Sequence, residues 1–237
     1  MTEELPDNSA RRRALVIGGS GGIGRAICRA LSSPEVHITI HGGHDEGKLR
    51  ELGDRLRQEG CSTTVVCRNI ITADDGLAVL SRSEPVDILV VSYGPFEEAS
   101  LAGASPDHLR RMVELNYVLP AALIAETLPG MRSRGYGRIL VFGTSFGDRI
   151  MGFRRSAAYA ASKTALASLV KSIALQAADA NVFCNMICPG YVTTEYHTEA
   201  TVQRYRGRMP GGHAQTPDEI AALARWLLSE NNRAVNG

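Results

Sequence analysis

Six short apolar runs punctuate the chain. Ala14–Ile17, Val36–Ile40, Thr63–Cys67, Asp87–Val91, Arg138–Phe142 and Val182–Ile187 are rich in Val, Ile and Leu and read as buried strands. Between them, apolar residues recur at three- and four-residue spacing over Gly22–Leu31, Glu46–Gln58, Asp74–Ser81, Pro106–Met131, Ala157–Ala178 and Pro217–Ser229, which predicts amphipathic helices. The alternation of strand and helix predicts an α/β fold whose parallel sheet is covered by helices on both faces. Right-handed crossovers then make that sheet doubly wound. No repeat, low-complexity stretch or linker interrupts the pattern. Residues 14–237 are therefore predicted to form one domain behind a flexible polar tail, residues 1–13, that ends in Arg11-Arg12-Arg13.

Composition narrows the classes of function. The 237 residues suit one large α/β domain, since domains run to roughly 100–200 residues. Hydrophobic residues at 44% and charged residues at 22% are ordinary globular values. A net charge of +1 argues against nucleic-acid binding through bulk charge. No apolar run approaches the roughly 18–20 residues of a membrane span, and Met1–Arg13 lacks the apolar core of a signal peptide. The five cysteines, Cys28, Cys61, Cys67, Cys184 and Cys188, form no CxxC, and no His or Cys pair completes a metal site beside the last two. They read as small apolar residues of a reduced, cytoplasmic protein without a metal.

Candidate chemistry begins at the first turn. Ala14-Leu-Val-Ile-Gly-Gly-Ser-Gly-Gly-Ile-Gly24 is a strand running through a glycine-rich bend into a helix. Gly19, Gly21 and Gly24 fit the GxGxxG spacing, and Gly18, Gly22 and Gly24 fit a second one. Without Cβ atoms the backbone turns sharply and approaches a pyrophosphate, whose charge sits at the helix N-terminus. The second strand ends at Ile40 and continues His41-Gly42-Gly43-His44, with no acid to hold a ribose 2′-hydroxyl. Asp45 and Glu46 come later and fit the start of the next helix. Arg25 and Arg68 are placed to face a 2′-phosphate. NADP is therefore favoured over NAD.

Tyr159-Ala-Ala-Ser-Lys163 opens a long helical pattern, and its i, i+4 spacing puts both side chains on one face. The neighbouring ammonium is expected to lower the phenol's pKa toward working pH. Such a tyrosine can give a proton to a carbonyl oxygen, or take one in reverse.

With the glycine loop and this pair in order, the chain resembles the short-chain dehydrogenase/reductase family over nearly its whole length. The resemblance rests on Gly18, Gly22 and Gly24, on Tyr159 and Lys163, on Asn116 in Leu115-Asn116-Tyr117, and on Pro189-Gly190 followed by Thr194. It implies a Rossmann-like sheet and an NAD(P)-dependent oxidoreductase that moves hydride between a nicotinamide and a carbonyl or alcohol. It further implies Tyr159 as acid, Lys163 as its partner and ribose holder, and Asn116 as support of a proton relay. The hydroxyl after the fifth strand falls on Thr144, with Ser145 one residue later. Either can donate a hydrogen bond to a carbonyl oxygen, and Thr144 matches the count. The implied cofactor contacts are Gly18, Ser20, Gly22, Ile23, Gly24, Arg25, His41, Asn69, Gly94, Tyr159, Lys163, Pro189, Gly190, Val192 and Thr194.

The chain departs from the family pattern in several places. The usual Asn-Asn-Ala-Gly after the fourth strand reads Val91-Ser92-Tyr93-Gly94, which sets a bulky tyrosine near the cofactor wall. The loop Gly147–Ala158 carries Arg149, Arg154 and Arg155, suited to an anionic substrate group or to solvent. The last strand usual in the family is missing, which would leave an open edge on the sixth strand. Residues 195–215 resemble a substrate lid, with Tyr196, His197, Tyr205 and Met209 as candidate lining. The type most resembled is the 3-oxoacyl-acyl-carrier-protein reductase. That implies a small carbonyl, alcohol or acyl thioester substrate and a homo-oligomer, dimer or tetramer. Arg132, Arg134 and Arg138 are candidates to dock an acidic carrier. The competing reading is a non-catalytic nucleotide-binding or regulatory protein on the same scaffold.

Overall fold

The computed structural model describes residues 11–83, 85–145, 147, 149–195, 203, 209 and 211–237. Six strands, β1 (Arg12–Ile17), β2 (Val36–Gly42), β3 (Ser62–Cys67), β4 (Ile88–Val91), β5 (Gly137–Phe142) and β6 (Val182–Ile187), form one sheet in the order β3-β2-β1-β4-β5-β6. Every pairing is parallel. Winding outward from β1 in one direction and from β4 in the other makes the sheet doubly wound, as expected.

The strands are apolar throughout because both faces are covered. Ala14 and Val16 of β1 pack into one layer while Leu15 and Ile17 pack into the other. The same alternation separates Ile88 and Val90 from Leu89 and Val91. The first layer is filled by the helices α1 (Gly22–Leu31), α2 (Glu46–Gln58) and α7 (Pro217–Leu228). The second is filled by α3 (Ala73–Leu80), α5 (Leu119–Arg134) and α6 (Ala157–Ala177), with α4 (Pro106–Val113) packed on α6.

The long helix expected over Pro106–Met131 is interrupted. A π-helical turn, Glu114–Val118, separates α4 from α5. Pro120 has no N–H to donate to the Asn116 carbonyl and its ring crowds that oxygen, so the i→i−4 ladder opens there. Leu119 N–H reaches back to the Glu114 carbonyl instead.

Charged groups tie the lower edge of the sheet together. Asp87, 3% exposed, accepts from Arg13 in β1 and from Arg134 at the end of α5, at 3.1 and 2.9 Å. Arg12 pairs with Glu230 at 2.6 Å and lies over the Tyr136 ring. Both arginines thus belong to the sheet rather than to the tail assigned to residues 1–13, whose first ten residues lie outside the described ones. The proposed carrier-docking arginines all have partners within the chain, though only Arg138 is buried. Arg132 bonds the Gln176 carbonyl and Asp179, Arg134 holds Asp87, and Arg138 is buried between the Tyr136 and Phe183 rings. The outer edge of β6 is partly covered. Cys184 N–H donates to Asn236 Oδ1 at 2.8 Å, and Gly237 N–H donates to the Cys184 carbonyl at 3.0 Å.

Candidate active site

The carboxyl ends of β1, β4, β5 and β6 converge where the strand order reverses, between β1 and β4. This is where open α/β sheets form a crevice. At the end of β1, Gly18 adopts φ +81°, a conformation favourable only to glycine. A side chain at Gly24 would put its Cβ 2.1 Å from the Gly18 carbonyl oxygen, so the bend closes onto α1 only because both residues are bare. The loop leads into the α1 N-terminus, where Gly21 offers no side-chain cap and the first turn contains no acid. Ile23 packs against the first apolar layer and Arg25 is partly exposed in the same turn. Ser20 lies against Gly42, where a Cβ would fall 2.5 Å from its Oγ.

His41 is 1% exposed rather than a loop residue. Its Nδ1 accepts from Gly18 N–H at 3.3 Å, and its Nε2 faces the Arg68 carbonyl at 2.8 Å. These bonds call for the neutral ring with the proton on Nε2. Burial pushes its pKa down, against a smaller opposite pull from the Arg68 carbonyl. His41 therefore supports the glycine bend from behind. On the ribose side, Asp45 caps α2 by accepting from Lys48 N–H. Arg68 is paired with Asp75 at 2.9 Å, so it is drawn away from the phosphate-facing role expected of it. Asn69 is exposed just beyond β3.

At the end of β4, Ser92 Oγ donates to the Ile17 carbonyl at 2.8 Å and braces the two central strands. Tyr93 does not face the cofactor wall, as the sequence suggested. Its ring packs into the second apolar layer and its hydroxyl donates to the Ile70 carbonyl at 3.1 Å. Gly94 is hemmed in, since a Cβ there would lie 2.5 Å from Asn116 Oδ1 and 3.2 Å from Lys163 Nζ. Asn116 is fully buried on the π turn. Its Nδ2 donates to the Pro95 carbonyl at 3.0 Å, while its Oδ1 has no hydrogen-bond partner among the described residues. A buried oxygen without a donor marks a place where a water or ligand group belongs.

Thr144, Tyr159 and Lys163 come together here. The Lys163 Nζ stands 5.6 Å from the Tyr159 ring centroid, and burial lowers its pKa to about 8. Tyr159 shifts the other way from expectation. Burial raises its pKa, and hydrogen bonding to Thr144 only partly offsets this. Desolvation of the phenolate outweighs any help from an ammonium that is itself poorly solvated. Ser145 is turned away, its Oγ donating to the Pro189 carbonyl at 3.1 Å. Phe96 packs edge-on against the Tyr159 ring at 5.0 Å and is more than half exposed.

Beyond β6, Gln215 anchors the segment that begins at Pro189. Its side chain accepts from Gly190 N–H at 3.2 Å, and its backbone pairs with Tyr191 and Thr193 around the buried Val192. Thr194 reaches α1, close to where a Cβ on Gly22 would fall. Tyr196, His197 and Tyr205 lie outside the described residues, and Met209 is buried. Sequence reasoning missed Cys188, an exposed thiol close enough to act electrostatically on both Tyr159 and Lys163. Its position just before Pro189-Gly190 was the available signal. The described residues contain no metal-binding cluster and no helix long and apolar enough to cross a membrane.

The chain and its fold are similar to those of known proteins. A family model described as short chain dehydrogenase matches residues 12–204. The Bacillus subtilis protein YtkK is 30% identical over 237 residues, covering 95% of this chain and 92% of that one. An acetoacetyl-CoA reductase from Rhizobium meliloti is 30% identical over 235 residues, covering 95% and 94%. A 3-oxoacyl (acyl-carrier-protein) reductase from Agrobacterium tumefaciens, crystallised with NADP bound, superposes with a TM-score of 0.87 at 28% identity. It covers 97% of this chain and 92% of its own.

Proposed function

The chain belongs to the short-chain dehydrogenase family, and from that premise we propose that it is an NADPH-dependent reductase of small carbonyl compounds, 3-oxoacyl thioesters foremost. The nicotinamide cofactor supplies the hydride when bound. Everything else falls to the protein. The bare bend at Gly18–Gly24 and the α1 N-terminus accommodate a diphosphate. Lys163 holds ribose hydroxyls with an ammonium that has no acidic partner among the described residues. Thr144 donates a hydrogen bond to the substrate oxygen while Tyr159 gives that oxygen a proton. The open Oδ1 of Asn116 supports a water that re-protonates Lys163 and, through it, Tyr159.

The observation that carries this reading is the meeting of Thr144, Tyr159 and Lys163 at the strand ends. The phenol gives its proton to a carbonyl oxygen in reduction and takes one back in oxidation. The absence of a free carboxylate beyond β2 favours the 2′-phosphorylated cofactor, as does the NADP in the Agrobacterium structure. A cytoplasmic location fits five cysteines among which no disulfide forms. A homo-oligomer fits the exposed Val113 and Leu175 on neighbouring helices. The test is loss of NADPH absorbance with acetoacetyl-CoA. Tyr159→Phe should lower turnover by about 10²–10⁴-fold, the worth of a positioned acid, with NADPH affinity kept. Unchanged turnover in that variant would remove Tyr159 from the reaction.

A further inference from the structure

The α1 N-terminus already holds an anion. Gly22 N–H donates to Glu195 Oε1 at 3.1 Å, across 173 residues of sequence. The second carboxylate oxygen lies 3.3 Å from the point a Gly22 Cβ would occupy, and the Thr194 Cγ2 lies 2.6 Å from it. The Thr194-Glu195 segment is thus laid directly onto the glycine bend, and its backbone just upstream is fixed by Gln215. Neither Gly21 nor the first turn of α1 supplies a negative group of its own. Glu195 fills that role from a distant loop. Backbone N–H groups at a helix start favour a carboxylate for the same reason that they favour a phosphate.

We propose that Glu195 is an intramolecular competitor for the diphosphate cradle and so sets the affinity of the free protein for its dinucleotide. This rests on the reading of that cradle as the cofactor site. The two anions claim the same N–H group, and two negative charges cannot share it. The binding-competent form is the one in which Glu195 has swung away, and apparent affinity falls in proportion to its rarity. The same contact steadies the unliganded protein, because it satisfies a helix end that otherwise faces solvent.

These two consequences have opposite signs, which makes the proposal testable. NADPH binding is followed by the enhancement of its fluorescence, and unfolding of the unliganded protein by thermal melting. Glu195→Ala should bind NADPH about 3- to 30-fold more tightly, the fold-change matching a lost cap and helix-charge contact. Its unliganded melting temperature should fall. Glu195→Gln, which keeps an acceptor but no charge, should lie between wild type and Glu195→Ala in both measurements. A purely structural Glu195 would lower stability without tightening binding, and a cofactor-holding one would weaken binding. Either result overturns the proposal while leaving the cofactor reading intact. Failure of both wild type and Glu195→Ala to bind any pyridine nucleotide would overturn the cofactor reading, and this proposal with it.

Discussion

Lys163 is a charged group that the fold holds at a cost. It is 5% exposed, and burial takes its pKa from 10.5 to about 8. Replacing it with methionine, a side chain of similar length and volume, should therefore stabilise the unliganded protein. A shift of that size corresponds to about 3 kcal/mol at neutral pH, from 1.36 kcal/mol per pKa unit. The cation–π contact with Tyr159 offsets some of this, about 0.5–1 kcal/mol. A net gain of about 2 kcal/mol would raise the melting temperature by roughly 4–8 °C in a chain of this size. The pH dependence distinguishes the cause. The folded pKa is the lower one, so the unfolded chain binds the extra proton between about 8 and 10.5. Wild-type stability thus rises with pH across that window, and the penalty is complete below it. The advantage of Lys163→Met should be full at neutral pH and shrink as the pH passes through the window. Thermal melts of the unliganded proteins at several pH values measure it, and a coupled assay should find the stabilised variant inactive. A variant less stable than wild type at neutral pH, or a gap that ignores pH, would refute the desolvation account.

Two further outcomes follow from the same geometry. Gly94→Ala places a methyl 2.5 Å from Asn116 Oδ1 and 3.2 Å from Lys163 Nζ. Urea titration should show a loss of about 1–3 kcal/mol from overpacking, and turnover should fall because both site groups must shift. His41, whose folded pKa lies below the ordinary 6.5, contributes stability that is present above that value and is lost as pH falls through it toward the folded value. His37 shifts in the same direction. Subtracting the pH–stability profile of His41→Asn from that of wild type isolates His41, and parallel profiles would deny it any share.

What could be read from the sequence and what could not divide along the range of the contacts involved. The bend at Gly18–Gly24 and the Tyr159–Lys163 spacing are local, set by a few residues and the helical period, so they stand out in the bare chain. Thr144 could be placed because it is counted from a strand end. The split of the long helix was also encoded locally, in Pro120, but a continuous apolar period masked it. Tyr93 lies two residues beyond Val91, the last paired residue of β4, and continues the Leu89–Val91 face into the second layer, which the motif comparison passed over. The remaining features depend on what lies opposite. His41 reads as a loop residue until β3 and the glycine bend close over it. Arg132, Arg134 and Arg138 form a basic cluster only when their partners, drawn from three other segments, are ignored.

Tyr159 shows the consequence for chemistry most clearly. Spacing alone brings an ammonium near the phenol and predicts a lowered pKa. The fold buries both groups, and desolvation reverses the sign for tyrosine while lowering lysine. A sequence motif reports which groups meet; the environment around them decides which protonation state each one keeps. In the free protein that state is a protonated phenol beside a lysine that gives up its proton readily. In the proposed reaction this pair delivers a proton and is resupplied through Asn116. The resting protonation of the pair therefore follows from its burial, which its spacing could not reveal.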